Sequence, residues 1–437
     1  MIITPSTPSP YEINYANKTH KRNMISFLED FDRTVSYSTV KSAGPAAHPL
    51  EFPTPTVHRA CRKSFRALDH KTGHIHKLNN IVLRSSGTTN EAYVIRKTIS
   101  KSIYGVIRIG VVLKPRRQGS KTGGWVLNEE DDREVKWVST NRRVAIKISS
   151  WEKMAQFRGK HLEDPIREIS AMELIGDYHP NVISSIEVLE DNEYLYTIMP
   201  YCAGDDLTGQ VINNENYVVD ESRARMWFQQ LLSGLSHLQK KGVCHRDISL
   251  ENIVIDDNGN LVIIDFGMSL RVPYTDPSNI GFVTDVSEGS ERRLIVSQGQ
   301  GGVLMYTAPE VVEREESFDG FALDLWGAGV VLFFLLVRMA PFELAHDSDR
   351  RYARIAKGEL KELLRDENNV ILSAEACNLL QNMFWHDPRK RLTLAQVMQH
   401  PWMLGKKFSS PPKTPPKTPP RSIRRKSFLA HHNTTVR

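Results

Sequence analysis

The hydrophobic pattern of this chain changes from strand-like to helical along its length, and that change limits its fold more than any other feature. From Tyr93 onward the runs YVIRKTIS, YGVIRIGVVLK and RRVAIKIS place branched apolar residues between turn-rich or charged segments, which is the pattern of strands. Beyond them the period becomes helical. Pro165 to Ile175 comes first, and then Glu221 to Lys240, where Trp227, Leu231, Leu232, Leu235 and Leu238 share one face. Strands first and helices afterwards predict an α+β chain of two lobes. The 437 residues give room for one large two-lobed unit with extensions, at roughly 150 residues per domain.

Composition narrows the function classes. With 40% hydrophobic and 25% charged residues, the chain is neither collagen-like, coiled-coil nor wholly disordered. Its longest apolar run, Ala328 to Val337, is about half of the ~20 residues a membrane span requires, so no transmembrane segment is expected. The start, MIITPSTPSP, lacks the basic and apolar regions of a secretory signal. Cys61, Cys202, Cys244 and Cys377 show no metal-site spacing, so a reducing, intracellular location is expected, cytoplasmic or nuclear.

The net charge of +6 is unevenly spread. Residues 1–90 carry twelve basic against six acidic side chains, and residues 405–437 carry nine basic and none acidic, so the middle of the chain is net acidic. A nucleic-acid enzyme places its positive charge on the folded surface that meets phosphate, so no specific nucleic-acid partner is expected. Residues 1–90, rich in Ser, Thr, Pro and His without sustained periodicity, read as a mostly disordered extension. The tail KKFSSPPKTPPKTPPRSIRRKSF reads the same way, because its prolines favour polyproline II and its uniform charge opposes collapse.

Four strings stand in order through the middle: VAIK at 144–147, HRDISLEN at 245–252, DFG at 265–267 and APE at 308–310. Alone, Lys147 is also an edge-strand lysine, Glu168 a surface helix charge, and Asp247, Asn252 and Asp265 ordinary turn residues. Taken in this order, residues 91–404 resemble the eukaryotic protein kinase family, serine/threonine type, in a divergent branch with an HRDxSLEN loop. The resemblance implies a small mainly β N-lobe bearing the αC helix and a larger mainly α C-lobe, divided at about residues 199–203. It also implies phosphoryl transfer from ATP with Mg2+ to serine or threonine hydroxyls of proteins, in intracellular signalling.

The family's roles carry over residue by residue. Lys147 would reach the α and β phosphates, held by Glu168 on a helix that Asp164 and Pro165 can start. Asp247 would orient the attacking hydroxyl, and Asn252 and Asp265 would hold magnesium. Met199, Pro200 and Cys202 resemble the hinge, Asp206 the residue facing ribose or peptide, and Ile107, Ala145 and Val254 the apolar walls around adenine. Ordinary core packing also explains those three. Asp324 resembles the helix aspartate that holds the catalytic loop, and Arg391 the partner of Glu310. His400 to Trp402, HPW, resembles the end of a calmodulin-kinase-like C-lobe.

The phosphate-covering loop fits least well. The preferred register, Ser100 to Ile107, keeps Gly105 but puts Ser100 and Ser102 where the family has glycine; a rival register is GSKTGGWV at 119–126. Gly105 and Lys147 lie too far apart for two strands and a hairpin loop, so an insertion is expected at about 114–140. Ser249 and Val303 stand where many serine/threonine members have lysine and threonine. That leaves an alternative, a pseudokinase scaffold that binds nucleotide with little turnover. Arg246 beside Asp247 suggests that an upstream kinase acts on the segment before APE, which contains Thr275, Ser278, Thr284, Ser287, Ser290 and Ser297. In the tail, RRKSF around Ser427 reads as a basophilic phosphorylation site, a self-substrate or blocking sequence, a nuclear-import or anionic-surface element, or a solubilising cluster, and Thr414 and Thr418 precede prolines. Glu251 and Asp206 could favour substrates in a basic context, although Phe334 stands where basophilic relatives often carry glutamate.

Overall fold

The computed structural model describes residues 45–68, 75–84, 91–115, 126–129, 137–176, 178–213, 219–275, 278–279, 283–285, 291–299, 301–368 and 370–406. The first lobe is a sheet of β1 (His58–Leu68), β2 (Ile75–Arg84), β3 (Ala92–Lys101), β4 (Gly105–Pro115), β5 (Val126–Glu129) and β6 (Trp137–Ser150), completed by β7 (Glu187–Glu190) and β8 (Tyr194–Pro200). The helices α1 (Trp151–Phe157) and α2 (Pro165–Ile175) follow β6. Strand β4 pairs antiparallel with β3 and β6, and β6 with β8. Alternation along β6 sends Val144 and Ile146 into a cluster with Val82, Tyr93, Val112 and Ile198. Ala145 and Lys147 therefore point to the opposite face.

The first ninety residues depart from expectation. Strands β1 and β2 come from the stretch read as mostly disordered, and residues 45–57 lie along the fold ahead of them. Their signal is weak in the sequence because their pairing is tertiary: β1 pairs with β2, β5 and β7, and Arg62 binds Asp191 at 2.6 Å. Hydrogen bonds from Arg62, Tyr196 and two backbone N–H groups outweigh the cost of burial and hold Asp191 down to about 2. The expected insertion starts later and ends earlier than its sequence bounds, because β4 runs to Pro115 and β6 begins at Trp137, with β5 between them. Residues 407–437 lie outside the described residues, as do Thr414, Thr418, Ser427, Ser287 and Ser290.

The second lobe is built on helices. In chain order it contains β9 (Gly204–Asp206), α3 (Leu207–Val211), α4 (Glu221–Lys240), β10 (Val243–Cys244), β11 (Ile253–Ile255), β12 (Leu261–Ile263), β13 (Leu270–Arg271), β14 (Tyr274–Thr275), β15 (Glu291–Arg292) and β16 (Ile295–Val296). Then come α5 (Pro309–Val312), β17 (Ser317–Phe318), α6 (Gly320–Val337), α7 (Arg350–Ala356), α8 (Leu360–Leu363), α9 (Ala374–Met383) and α10 (Leu394–Gln399). Helix α4 buries the face read from its sequence. Helix α6 is long and apolar enough to cross a membrane by length and composition, but 78% of it is buried inside the lobe. It is the central helix of the core, packed against α4 and α9. Arg391 makes a bidentate bond to Glu310 at 2.9 and 2.7 Å, both side chains buried, as expected of that pair.

Candidate active site

Three short segments and one helix converge below the sheet. Asp164 caps α2 through the Ile166 N–H at 2.8 Å, with Pro165 in the first turn, so the helix starts where its sequence places it. Glu168 then lies one turn in, buried beside Ile169 and Met172. Its carboxylate accepts from Lys147 Nζ at 2.7 Å, and both residues are 3% exposed. Asp265 Oδ1 lies 3.7 Å from the same nitrogen and Glu163 Oε1 3.8 Å. Burial works against the Lys147 charge, but these three carboxylates outweigh it and raise its pKa, so the ammonium stays charged. Burial also pushes the Glu163 carboxyl up, against the pull of Lys147.

Asp247 and Asn252 stand on the loop between β10 and β11. Asn252 Nδ2 donates to the Asp247 backbone oxygen at 2.9 Å and to Asp247 Oδ2 at 2.7 Å, which leaves the amide oxygen out of these bonds. The Asp247 carboxyl is raised, first by burial. Asp324, on α6, accepts from the N–H groups of His245 and Arg246, both at 2.7 Å, so the helix holds the loop as expected. Burial lifts Asp324 itself to about 6. Arg246 and Asp265 both adopt left-handed backbone, φ 67° and 65°, a strained conformation that surrounding contacts must enforce. One such contact is Phe266, fully buried edge-on to His245 at 4.9 Å.

The loop from Ser100 to Gly105 is the turn between β3 and β4. Ser102 and Gly105 exchange backbone hydrogen bonds at 3.0 and 3.3 Å, and Ser102 Oγ accepts from the Gly105 N–H at 3.1 Å. Gly105 is required for a reason the sequence did not give. A Cβ there would lie 1.9 Å from the Ile148 carbonyl oxygen, so the residue serves contact with β6. In the rival register, 119–125 lie outside the described residues. Ile107 pairs with Lys147 and Ala145 with Met199, so the expected wall and hinge residues adjoin the lysine. Pro200 ends β8, and Cys202 follows with its thiol pushed up to about 12 by burial and by Asp256 and Asp257. Val254 pairs with Asp206, whose Oδ1 caps α3 through the Gly209 N–H at 2.7 Å.

Some placements differ from the sequence reading. Ser249 is buried, whereas Val303 is exposed and Gly302 lies against Asp247: a Cβ on Gly302 would sit 2.8 Å from Asp247 Oδ1. Phe334 is buried against Tyr306, their ring centroids 5.9 Å apart. Thr275 is fully buried, which withdraws it as a modification site. Glu163 and Tyr104 were missed altogether. Tyr104, 3% exposed, donates its hydroxyl to the Glu163 carbonyl at 2.7 Å and so ties the phosphate-loop turn to the start of α2. No spacing rule marks either residue.

Residues 133–403 match the family model described as protein kinase domain. The chain belongs to the protein kinase family. This kinase domain is 31% identical over 267 residues to CBL-interacting protein kinase 5 of Oryza sativa subsp. japonica, covering 61% of this chain and 51% of that one. It is 32% identical over 274 residues to serine/threonine-protein kinase SAPK1 of the same plant, covering 62% and 70%. CBL-interacting serine/threonine-protein kinase 12 of Arabidopsis thaliana is 32% identical over 267 residues, covering 61% and 48%. The chain thus spans about half the length of several curated relatives it matches. The kinase domain implies ATP and a divalent cation, and the site's chemistry fits them. One lysine faces three carboxylates, a surplus of acid that a phosphate-bound cation would balance. Among the described residues no cluster of three His, Cys, Asp or Glu could hold a metal by itself.

Proposed function

We propose that this chain transfers the γ-phosphate of ATP to serine or threonine hydroxyls of proteins. The observation that carries the reading is the buried Lys147–Glu168 pair with Asp265 beside it, facing the Asp247–Asn252 loop. In this reading Lys147 orients the α and β phosphates, and Glu168 holds the lysine stem. Magnesium, when bound through Asp265 and Asn252, supplies charge neutralisation at the β and γ phosphates. Asp247, fixed by Asn252, holds the acceptor hydroxyl and takes its proton as the oxygen attacks. Glycine at 302 leaves that carboxylate room to meet substrate.

Ser249 leaves the transferred phosphate without the lysine found in many relatives, which underlies the alternative of a nucleotide-binding scaffold. The retained acidic and basic groups favour turnover. Arg246 sits near Arg167, burial lowers its pKa, and its guanidinium reaches the Gly299 carbonyl at 3.3 Å. A phosphate placed by an upstream kinase on Ser297, two residues from Gly299, would meet these two cations. The test is radiolabel transfer from γ-labelled ATP onto a serine/threonine peptide array, with Lys147→Met and Asp247→Asn in parallel. Transfer by the wild type that vanishes in both variants supports the reading. Nucleotide binding without transfer by the wild type, purified from its own cells, overturns it in favour of the scaffold.

A further inference from the structure

Residues 45–57 run from the segment after DFG to helix α2, and both ends are fixed by specific bonds. At the lower end the Ala47 N–H donates to the Leu294 carbonyl at 2.9 Å, and the Ala47 carbonyl accepts from Val296 at 2.9 Å. The Leu50 N–H donates to the Arg271 carbonyl at 3.0 Å. Arg293, 4% exposed, directs Nε and Nη2 at the Pro45 carbonyl at 2.9 and 2.6 Å. Arg271 donates Nη1 to the Glu51 carbonyl at 3.0 Å and Nη2 to Asp285 at 2.6 Å. Phe52 and Val57 pack on the main core. At the upper end the Thr56 N–H and hydroxyl both donate to the Glu173 carboxylate of α2, at 2.6 Å each. The chain then enters β1 at His58, which pairs with Leu189.

We infer that residues 45–57 form a positioning strap that ties the segment following Asp265 to the helix carrying Glu168. This rests on the phosphotransfer reading above, and it adds a part that the sequence left as disordered. The physical argument is one of shared restraint. Strands β13 and β16 are two residues long and cannot hold themselves in place. The strap supplies them with main-chain bonds and covers a buried guanidinium whose donors would otherwise lack this acceptor. The same thirteen residues grip Glu173, five positions beyond Glu168 on α2. Helix and segment must both be in register for Lys147, Glu168 and Asp265 to meet. One strap fastened to both makes loss of either register cost bonds at both ends.

The test uses the full chain. Ala47→Pro with Leu50→Pro removes two donors at the lower end, and Thr56→Val removes the hydroxyl at the upper end while preserving shape. Two readouts are taken: amide hydrogen exchange over 165–175 and 291–299, and kcat against KM for ATP. The strap predicts that the double variant exchanges faster in both windows, including the α2 window that it does not touch, and that kcat falls about tenfold. A synthetic peptide of residues 43–58 added in excess restores protection and rate. Unchanged exchange in α2, or faster exchange in both windows with kcat unaltered, overturns the inference. If the double variant does not fold, Thr56→Val decides it by the same readout over 291–299. If the wild type transfers no phosphate, the proposed function fails, and the exchange measurement still judges the strap alone.

Discussion

At the residue scale, two residues to which the sequence assigned no role, Tyr104 and Gly302, shape the cleft. Tyr104 links the phosphate-loop turn to Glu163 through one hydroxyl. Tyr104→Phe keeps the buried ring and removes that bond, so KM for ATP should rise about fivefold, the equivalent of ~1 kcal/mol, with kcat nearly constant. Steady-state kinetics over an ATP series would show it, and an unchanged KM would deny the hydroxyl a role. Gly302 has φ 80° and lies against Asp247. Gly302→Ala forces a strained backbone and crowds the carboxylate proposed to hold the acceptor, so kcat should fall by about two orders of magnitude. Nucleotide affinity, measured by calorimetry, should stay within about twofold, because the groups proposed to contact ATP lie elsewhere. Neither effect is legible in the sequence, since Tyr104 and Gly302 act through neighbours 59 and 55 positions away.

At the element scale, the connection from α2 to β7 illustrates how packing turns a loop residue into a pH-sensitive joint. His179 stacks on His237 of α4 at 4.7 Å, and its Nδ1 accepts from the Asn181 N–H at 3.2 Å. Burial first, and His237 second, lower the His179 pKa to about 4. Protonation would also remove the acceptor that Asn181 uses. The folded protein therefore resists a proton that the unfolded chain accepts, so this stability is present above pH ~6.5 and is lost as the pH falls toward 4. Allowing for partial exposure, its size is on the order of 1–2 kcal/mol. Denaturant midpoints taken from pH 7 to 5 should fall less steeply in His179→Gln than in the wild type, and parallel curves would count against this account. Element type was well marked where one face is apolar: α4, α2 and the three strands around Lys147 stand where their periodicity put them. Strands β1 and β2 were missed because their edges are satisfied by distant partners and their own alternation is interrupted by basic residues.

At the scale of the whole molecule, the site exists only when both lobes hold their parts together. Lys147 and Glu168 come from the sheet lobe, and Asp247, Asn252 and Asp265 come from the helical one. A ligand that contacts both lobes should stabilise the folded chain by mass action, by about 2.7 kcal/mol at a hundredfold excess over Kd, and so raise its unfolding temperature. Magnesium-ATP should therefore raise the melting temperature of the wild type and of Asp247→Asn by several degrees, and that of Asp265→Ala by much less. Differential scanning fluorimetry with and without magnesium checks this, and equal shifts in all three proteins would remove Asp265 from metal binding.

The sequence by itself determined the family to which this chain belongs. Asp247, Asn252, Asp265 and Arg391 lie in connections and were legible from their short strings, whereas Lys147 on its strand, Glu168 on its capped helix and Asp324 on its apolar helix sit inside local patterns that specify their elements. Local pattern suffices there because a strand or a capped helix fixes the direction of its own side chains. Only the tertiary structure decided that Glu163 joins the carboxylates around Lys147, that Gly302 faces Asp247, and that residues 45–57 fasten the segment after DFG to α2. Those arrangements depend on hydrogen bonds and close contacts between residues far apart in the chain, such as Arg293 to Pro45 and Thr56 to Glu173. Such contacts leave no period, cap or turn in the local sequence.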